Sequence, residues 1–90
     1  MGFEYFLISF SSRSQNFEFA SLMHSYGAFA VIINTPRQIM SSCGVSVKTN
    51  KEGLNFAQSI LRRRKFESFN GAFKIIQNGP MISVFPINIS

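Results

Sequence analysis

Two strand-helix-strand runs packed into 90 residues constrain this chain more than any other feature. The first opens with Glu4-Tyr5-Phe6-Leu7-Ile8-Ser9-Phe10, dense in β-branched and aromatic side chains and short, which predicts a buried strand. Ser12 followed by Gln15 fits a capping box, in which each side chain satisfies the other's free amide. Phe19, Ala20, Met23 and Tyr26 then recur at helical spacing, predicting a helix over residues 13–26, and Gly27 suits the left-handed position that ends one. A second apolar strand, residues 29–34, stops at Thr35-Pro36. In the second run, residues 45–49 alternate apolar and polar as a half-buried strand does. Thr49 and Glu52 form a second capping box, and Leu54, Ala57, Ile60 and Leu61 mark a helix ending in Arg62-Arg63-Arg64-Lys65. Asn70-Gly71 is expected to turn the chain into a fourth strand, residues 72–77.

That order predicts an α+β fold of ferredoxin-like βαββαβ topology: a four-stranded antiparallel sheet with two helices on one face. Residues 1–90 are expected to form a single domain, with a core over about 4–77 and a C-terminal extension over 78–90. In the extension, Asn78-Gly79 marks a turn, although Pro80 disfavours a two-residue hairpin. Residues 81–85 are expected to add an edge strand, blunted by Pro86. A chain this short buries only about 60–65% of its extended surface. Eleven phenylalanines and no tryptophan therefore leave Phe rings to fill most of the core.

Composition excludes several functions. One histidine, one cysteine, four glutamates and no aspartate make no convincing metal-ligand set or acid/base array. No phosphate-binding glycine loop is present, and no cofactor is expected. The apolar run at residues 5–10 is too short for a signal core or a membrane span, so no membrane partner is expected. A single cysteine makes no internal disulfide, which points to a reducing, cytoplasmic setting. The net charge of +5 favours acidic partners in general. The four-residue basic run is accounted for by placement at a helix C-terminus. The first and third strands lack the alternation of basic and aromatic residues that an RNA-binding sheet carries, so nucleic acid is not an expected partner.

The lone thiol, Cys43, lies in Thr35-Pro36-Arg37-Gln38-Ile39-Met40-Ser41-Ser42-Cys43-Gly44, between the second and third strands. In a βαββαβ sheet the turn after strand one and the loop after strand two fall at the same end. Cys43 is therefore expected near the N-terminus of the first helix, where spare amides and the helix dipole favour an anion. Arg37 adds a cation, Ser41 and Ser42 add hydroxyl donors, and Pro36 stiffens the start of the loop. Gly44 leaves the backbone beside the sulfur free to adopt positive φ. Such surroundings suit a reactive, accessible sulfur. A small buried hydrophobe is the commoner role of a free cysteine. His24 falls at the opposite end of the sheet, which argues against a Cys/His catalyst.

The segment matches a signature, Pro-Arg-x-Ile-x-x-Ser-Cys-Gly, carried here by Pro36, Arg37, Ile39, Ser42, Cys43 and Gly44. In this the chain resembles the selenium/sulfur carrier protein-like family of small bacterial proteins. The likeness extends over about residues 4–77, through Tyr5-Phe6-Leu7-Ile8-Ser9-Phe10-Ser11-Ser12, the helix ending at Gly27 and the strand before Thr35. The resemblance implies a carrier that holds sulfur or selenium on Cys43 as a persulfide or selenopersulfide. Its partners would be sulfur or selenium donor and acceptor proteins, and it would be an accessory protein rather than a stand-alone enzyme. The rival reading is a non-catalytic interaction module with an inert Cys43. It would dimerise or dock through the open sheet face or the C-terminal strand, since a charged fraction of 14% leaves apolar surface to cover.

Overall fold

A computed structural model describes residues 2–89. The elements are β1 (Phe3–Phe10), α1 (Arg13–Ser25), β2 (Val31–Asn34), β3 (Val45–Thr49), α2 (Lys51–Arg63), β4 (Phe69–Asn78) and β5 (Met81–Ile87). The strands form one sheet of order β2-β3-β1-β4-β5, and every neighbouring pair is antiparallel. The fold is therefore α+β, with two helices and five strands in the sheet. The tail supplies β5, longer than the sequence indicated, which pairs along the edge of β4 from Asn78↔Met81 to Ala72↔Ile87.

Both helices cover one face of the sheet. Ile8 and Phe10 of β1, Val47 of β3 and Ala72 of β4 pack with Phe19, Ala20 and Met23 of α1 and Ala57 and Ile60 of α2. Phe10 is the hub, with ring centroids 4.9 Å from Phe19, 5.2 Å from Phe66 and 5.8 Å from Phe69. Burying a Phe side chain stabilises by about 1.5–3 kcal/mol, and each tilted ring pair adds about 0.5–1.5. Ile89, just past β5, returns to this layer and is buried there.

Among the described residues the opposite face has no helix, but it is not bare. Leu7 and Ile75 are fully buried there beneath Ile39, which reaches over from the β2–β3 loop. Tyr5, Ile33, Phe73, Ile82 and Val84 surround them. The loop that carries the cysteine is thus fastened to the sheet by an apolar plug.

Four local features differ from the sequence reading. The cap of α2 is Asn50, not Thr49: Asn50 Oδ1 accepts from the Gly53 amide at 2.8 Å. Thr49 is committed elsewhere, as a buried strand residue donating to the Phe29 carbonyl at 2.6 Å. Ser12 does cap α1, accepting from the Gln15 amide at 3.3 Å, but the box is not reciprocal. Gln15 Oε1 instead accepts from the Ser68 amide at 3.1 Å and from its hydroxyl, tying α1 to the start of β4. Asn70-Gly71 is not a turn but a bulge inside β4. The register steps from Ser9↔Gly71 to Phe10↔Phe69, leaving Asn70 unpaired, and Gly71 has φ 147°. Bulges re-aim side chains, and the Asn70 carboxamide donates to the Met40 carbonyl at 3.1 Å, a second tie on the loop. Finally, Gly79 and Pro80 do make a two-residue hairpin connection. Gly79 has φ 55° and Pro80 is held at negative φ by its ring, the sign pattern of a type II′ turn.

Candidate functional site

The site lies where β1 ends, α1 begins and the β2–β3 loop returns to the sheet. The loop closes at its base through the Thr35 amide, which donates to the Gly44 carbonyl at 2.9 Å. Within it the Ile39 amide donates to the Pro36 carbonyl at 3.0 Å, a turn that delivers Ile39 to the sheet. Thr35 and Ser46 share a hydroxyl contact at 2.7 Å, and Ser46 donates to Ser9 at 3.3 Å, so buried serines below the loop are satisfied.

Cys43 is half-buried at this junction. Its Sγ lies 3.2 Å from the Phe10 carbonyl and 3.6 Å from the Val45 carbonyl, both acceptors for a thiol proton. Asn16 Nδ2, in α1, donates to the sulfur at 3.2 Å. Ser41 Oγ stands 3.8 Å from the sulfur and accepts from the Gly44 amide at 3.2 Å. Ser42 turns away and donates to the Ser11 carbonyl at 3.2 Å. Gly44 has φ 78°, a left-handed conformation that lets the chain enter β3 immediately after the sulfur. Pro36 is half-buried at the foot of the loop. Arg37 is exposed, and among the described residues it forms no hydrogen bond or ion pair. His24 is remote, its Nε2 2.6 Å from the Ala30 carbonyl.

Sequence reasoning missed Asn16. It is fully buried, and its carboxamide bonds both the N–H and the C=O of Phe10. The available signal was a polar residue on the core-facing side of α1, three residues before Phe19, which a count of apolar positions passes over.

Beside the loop, Ser11, Met40, Ser41, Ser42 and Asn70 line a shallow groove of about 380 Å³. A groove of about 420 Å³ lies at the other end of β1, between Phe3, Tyr5, Phe29, Lys48 and Asn50, remote from the thiol. The smaller groove is lined by Ser41 and Ser42, which directly precede Cys43, so the chemistry favours it over the other. Among the described residues no group of His, Cys, Asp and Glu could hold a metal ion. No helix in the described residues is long and apolar enough to cross a membrane.

Residues 5–69 match the family described as "Putative Se/S carrier protein-like". The chain belongs to that family. The matched segment runs from β1 to the first residue of β4 and contains the entire cysteine loop, while β5 lies outside it. No match is found among curated proteins or among solved structures.

Proposed function

We propose that this member of the Se/S carrier-like family carries sulfur or selenium on Cys43. The observation that carries the reading is the position of the only thiol. It sits within the matched segment, half-buried on a pinned loop, at the first turns of α1 and beside an open groove.

The transfer is a thiol exchange without net redox change. The Cys43 thiolate attacks the outer sulfur of a donor persulfide. A sulfur–sulfur bond forms on Cys43, the donor's own sulfur–sulfur bond breaks, and the donor thiolate leaves. The product is a Cys43 persulfide, or a selenopersulfide when the donor carries selenium. In the second step an acceptor nucleophile attacks the outer atom, and Cys43 leaves as thiolate. Only an accessible thiolate and hydrogen-bond donors near it are required.

In this reading Arg37, exposed on the loop, draws anionic donors toward it. Gly44 and Pro36 shape the loop, and Ser41 and Ser42 line the groove into which the outer atom extends. Donor and acceptor proteins are the partners, and the setting is the bacterial cytoplasm. The strand order supports a ferredoxin-like arrangement with β5 added, acting as one domain.

Incubation with cysteine persulfide, followed by mass spectrometry, tests the proposal. The expected result is one added sulfur on the Cys43 peptide, removed by reductant and absent in Cys43→Ser. No adduct, under conditions that load a free low-molecular-weight thiol, contradicts it.

A second reading, dimerisation or docking through β5, is favoured by Met81 and Phe85, which are 72% and 48% exposed on the edge strand. Sedimentation of the unmodified protein against Phe85→Lys separates it: a concentration-dependent dimer that the substitution dissolves supports this reading.

A further inference from the structure

Asn16 has 0% exposure, and its carboxamide serves four partners. Oδ1 accepts from the Phe10 amide at 3.3 Å. Nδ2 donates to the Phe10 carbonyl at 2.8 Å, the Ser12 carbonyl at 3.1 Å and Cys43 Sγ at 3.2 Å. A carboxamide has two N–H protons, so three acceptors share them. The two carbonyls would saturate the group without the sulfur. Its placement against Sγ is thus not required for satisfying a buried amide.

The sulfur's other neighbours behave differently when it ionises. The carbonyls of Phe10 and Val45 accept a thiol proton, and they face a thiolate with their negative ends. The Asn16 N–H is the contact that persists and strengthens, since hydrogen bonds to charged acceptors are roughly twice as strong as neutral ones. The Ser41 hydroxyl, at 3.8 Å, is the other available donor. The charged or titratable side chains on the surrounding elements are Glu4 and Tyr5 on β1; Arg13, Glu18 and His24 on α1; Arg37 on the loop; Lys48 on β3; and Lys74 on β4. None of them bonds the sulfur among the described residues. Arg13 lies instead over the Phe17 ring and Lys48 over the Tyr5 ring.

We infer that Asn16 is the positioning residue for Cys43. Its N–H fixes the direction of Sγ and meets the negative charge on that atom, both when it attacks and when it departs as leaving group. The inference rests on the carrier reading for its purpose, though not for its geometry. Asn16 neither gives nor takes a proton.

The test compares the wild type with Asn16→Ala and Asn16→Asp. Asp keeps an oxygen for the Phe10 amide while removing the donor to sulfur and adding negative charge. Iodoacetamide alkylation of Cys43 is followed against pH, with circular dichroism as the check on folding. The expected result is about tenfold slower alkylation of Asn16→Ala at neutral pH, the loss of one hydrogen bond to an anion, with the gap closing in alkali. Asn16→Asp is expected to be slower still. Alkylation by both variants at or above the wild-type rate across the pH range overturns the inference.

If neither variant folds, the wild type decides by nuclear magnetic resonance. The Asn16 carboxamide protons are expected to shift when Cys43 is alkylated and to titrate in step with its alkylation profile. Unmoved signals overturn the inference. Cysteine persulfide loading separates the two proposals. A wild type that resists loading, with Asn16 variants still slow toward iodoacetamide, removes the carrier reading alone. Loading at equal rates in wild type and variants removes the positioning role alone.

Discussion

Replacing Ile39 with alanine should loosen the cysteine loop from the sheet. Ile39 is 7% exposed and is the buried residue of that loop that rests on Leu7 and Ile75. Truncation removes three carbons from that contact. At about 0.8 kcal/mol per buried methylene the transfer loss is about 2.4 kcal/mol. A surface loop can settle into the space, so little cavity cost is added, and the expected total is about 2–3 kcal/mol. With a urea slope of about 1–3 kcal/mol/M for a small protein, the unfolding midpoint should fall by about 1 M. Hydrogen exchange supplies the local half of the assay. The amides of Thr35, Ile39 and Gly44, each hydrogen-bonded within the loop, should lose protection before the sheet does. The control is Met40→Ala, whose side chain is 88% exposed and whose loss should fall within about 0.5 kcal/mol of zero. A midpoint unchanged by Ile39→Ala, with loop exchange also unchanged, would refute the idea that this plug holds the site.

Further outcomes follow from single positions. Gly53→Ala should destabilise, although alanine is the better helix former by about 1 kcal/mol, because a Cβ at Gly53 collides with Thr49 Oγ1; a raised thermal midpoint would contradict this. Gly44→Ala meets open space but must hold φ 78°, so a loss of about 1–2 kcal/mol is expected in urea melts. Asn50→Ala should cost about 1 kcal/mol by removing the α2 cap, and Asn50→Asp should cost less. Burial pushes the Tyr5 phenol above its ordinary value of about 10. The folded state then keeps a proton the unfolded chain has lost, so this contribution to stability is whole below about pH 10 and shrinks above it. Urea midpoints taken at pH 9 and 11 should therefore converge more closely in Tyr5→Phe than in the wild type.

Local signals in the sequence were strong where one residue suffices. Ser12 as a cap, Gly27 at φ 79° after α1, and the bounds of β3 all follow from short-range chemistry. What escaped depends on partners distant in sequence. Thr49 reads as a cap until the Phe29 carbonyl claims its hydroxyl. Asn70-Gly71 reads as a turn until β1 continues alongside it and makes it a bulge. Pro80 counts against a tight two-residue hairpin, yet the connection needs no amide there. At the site, topology alone was enough to bring the loop to the start of α1. Asn16 went unread, and Ile39, although part of the signature, gave no sign of its packing role, because both roles exist only against β1 and β4: a polar residue satisfied by a strand end, and an apolar loop residue covering the helix-free face.

The chalcogen state of Cys43 in protein isolated from its own cells, without reductant, bears most directly on the carrier account. The account predicts a fraction of Cys43-containing peptide heavier by one sulfur or selenium atom, with the extra mass lost on treatment with reductant. Cys43 recovered wholly as free thiol, from cells supplied with both elements and under handling that preserves a persulfide standard, would contradict it.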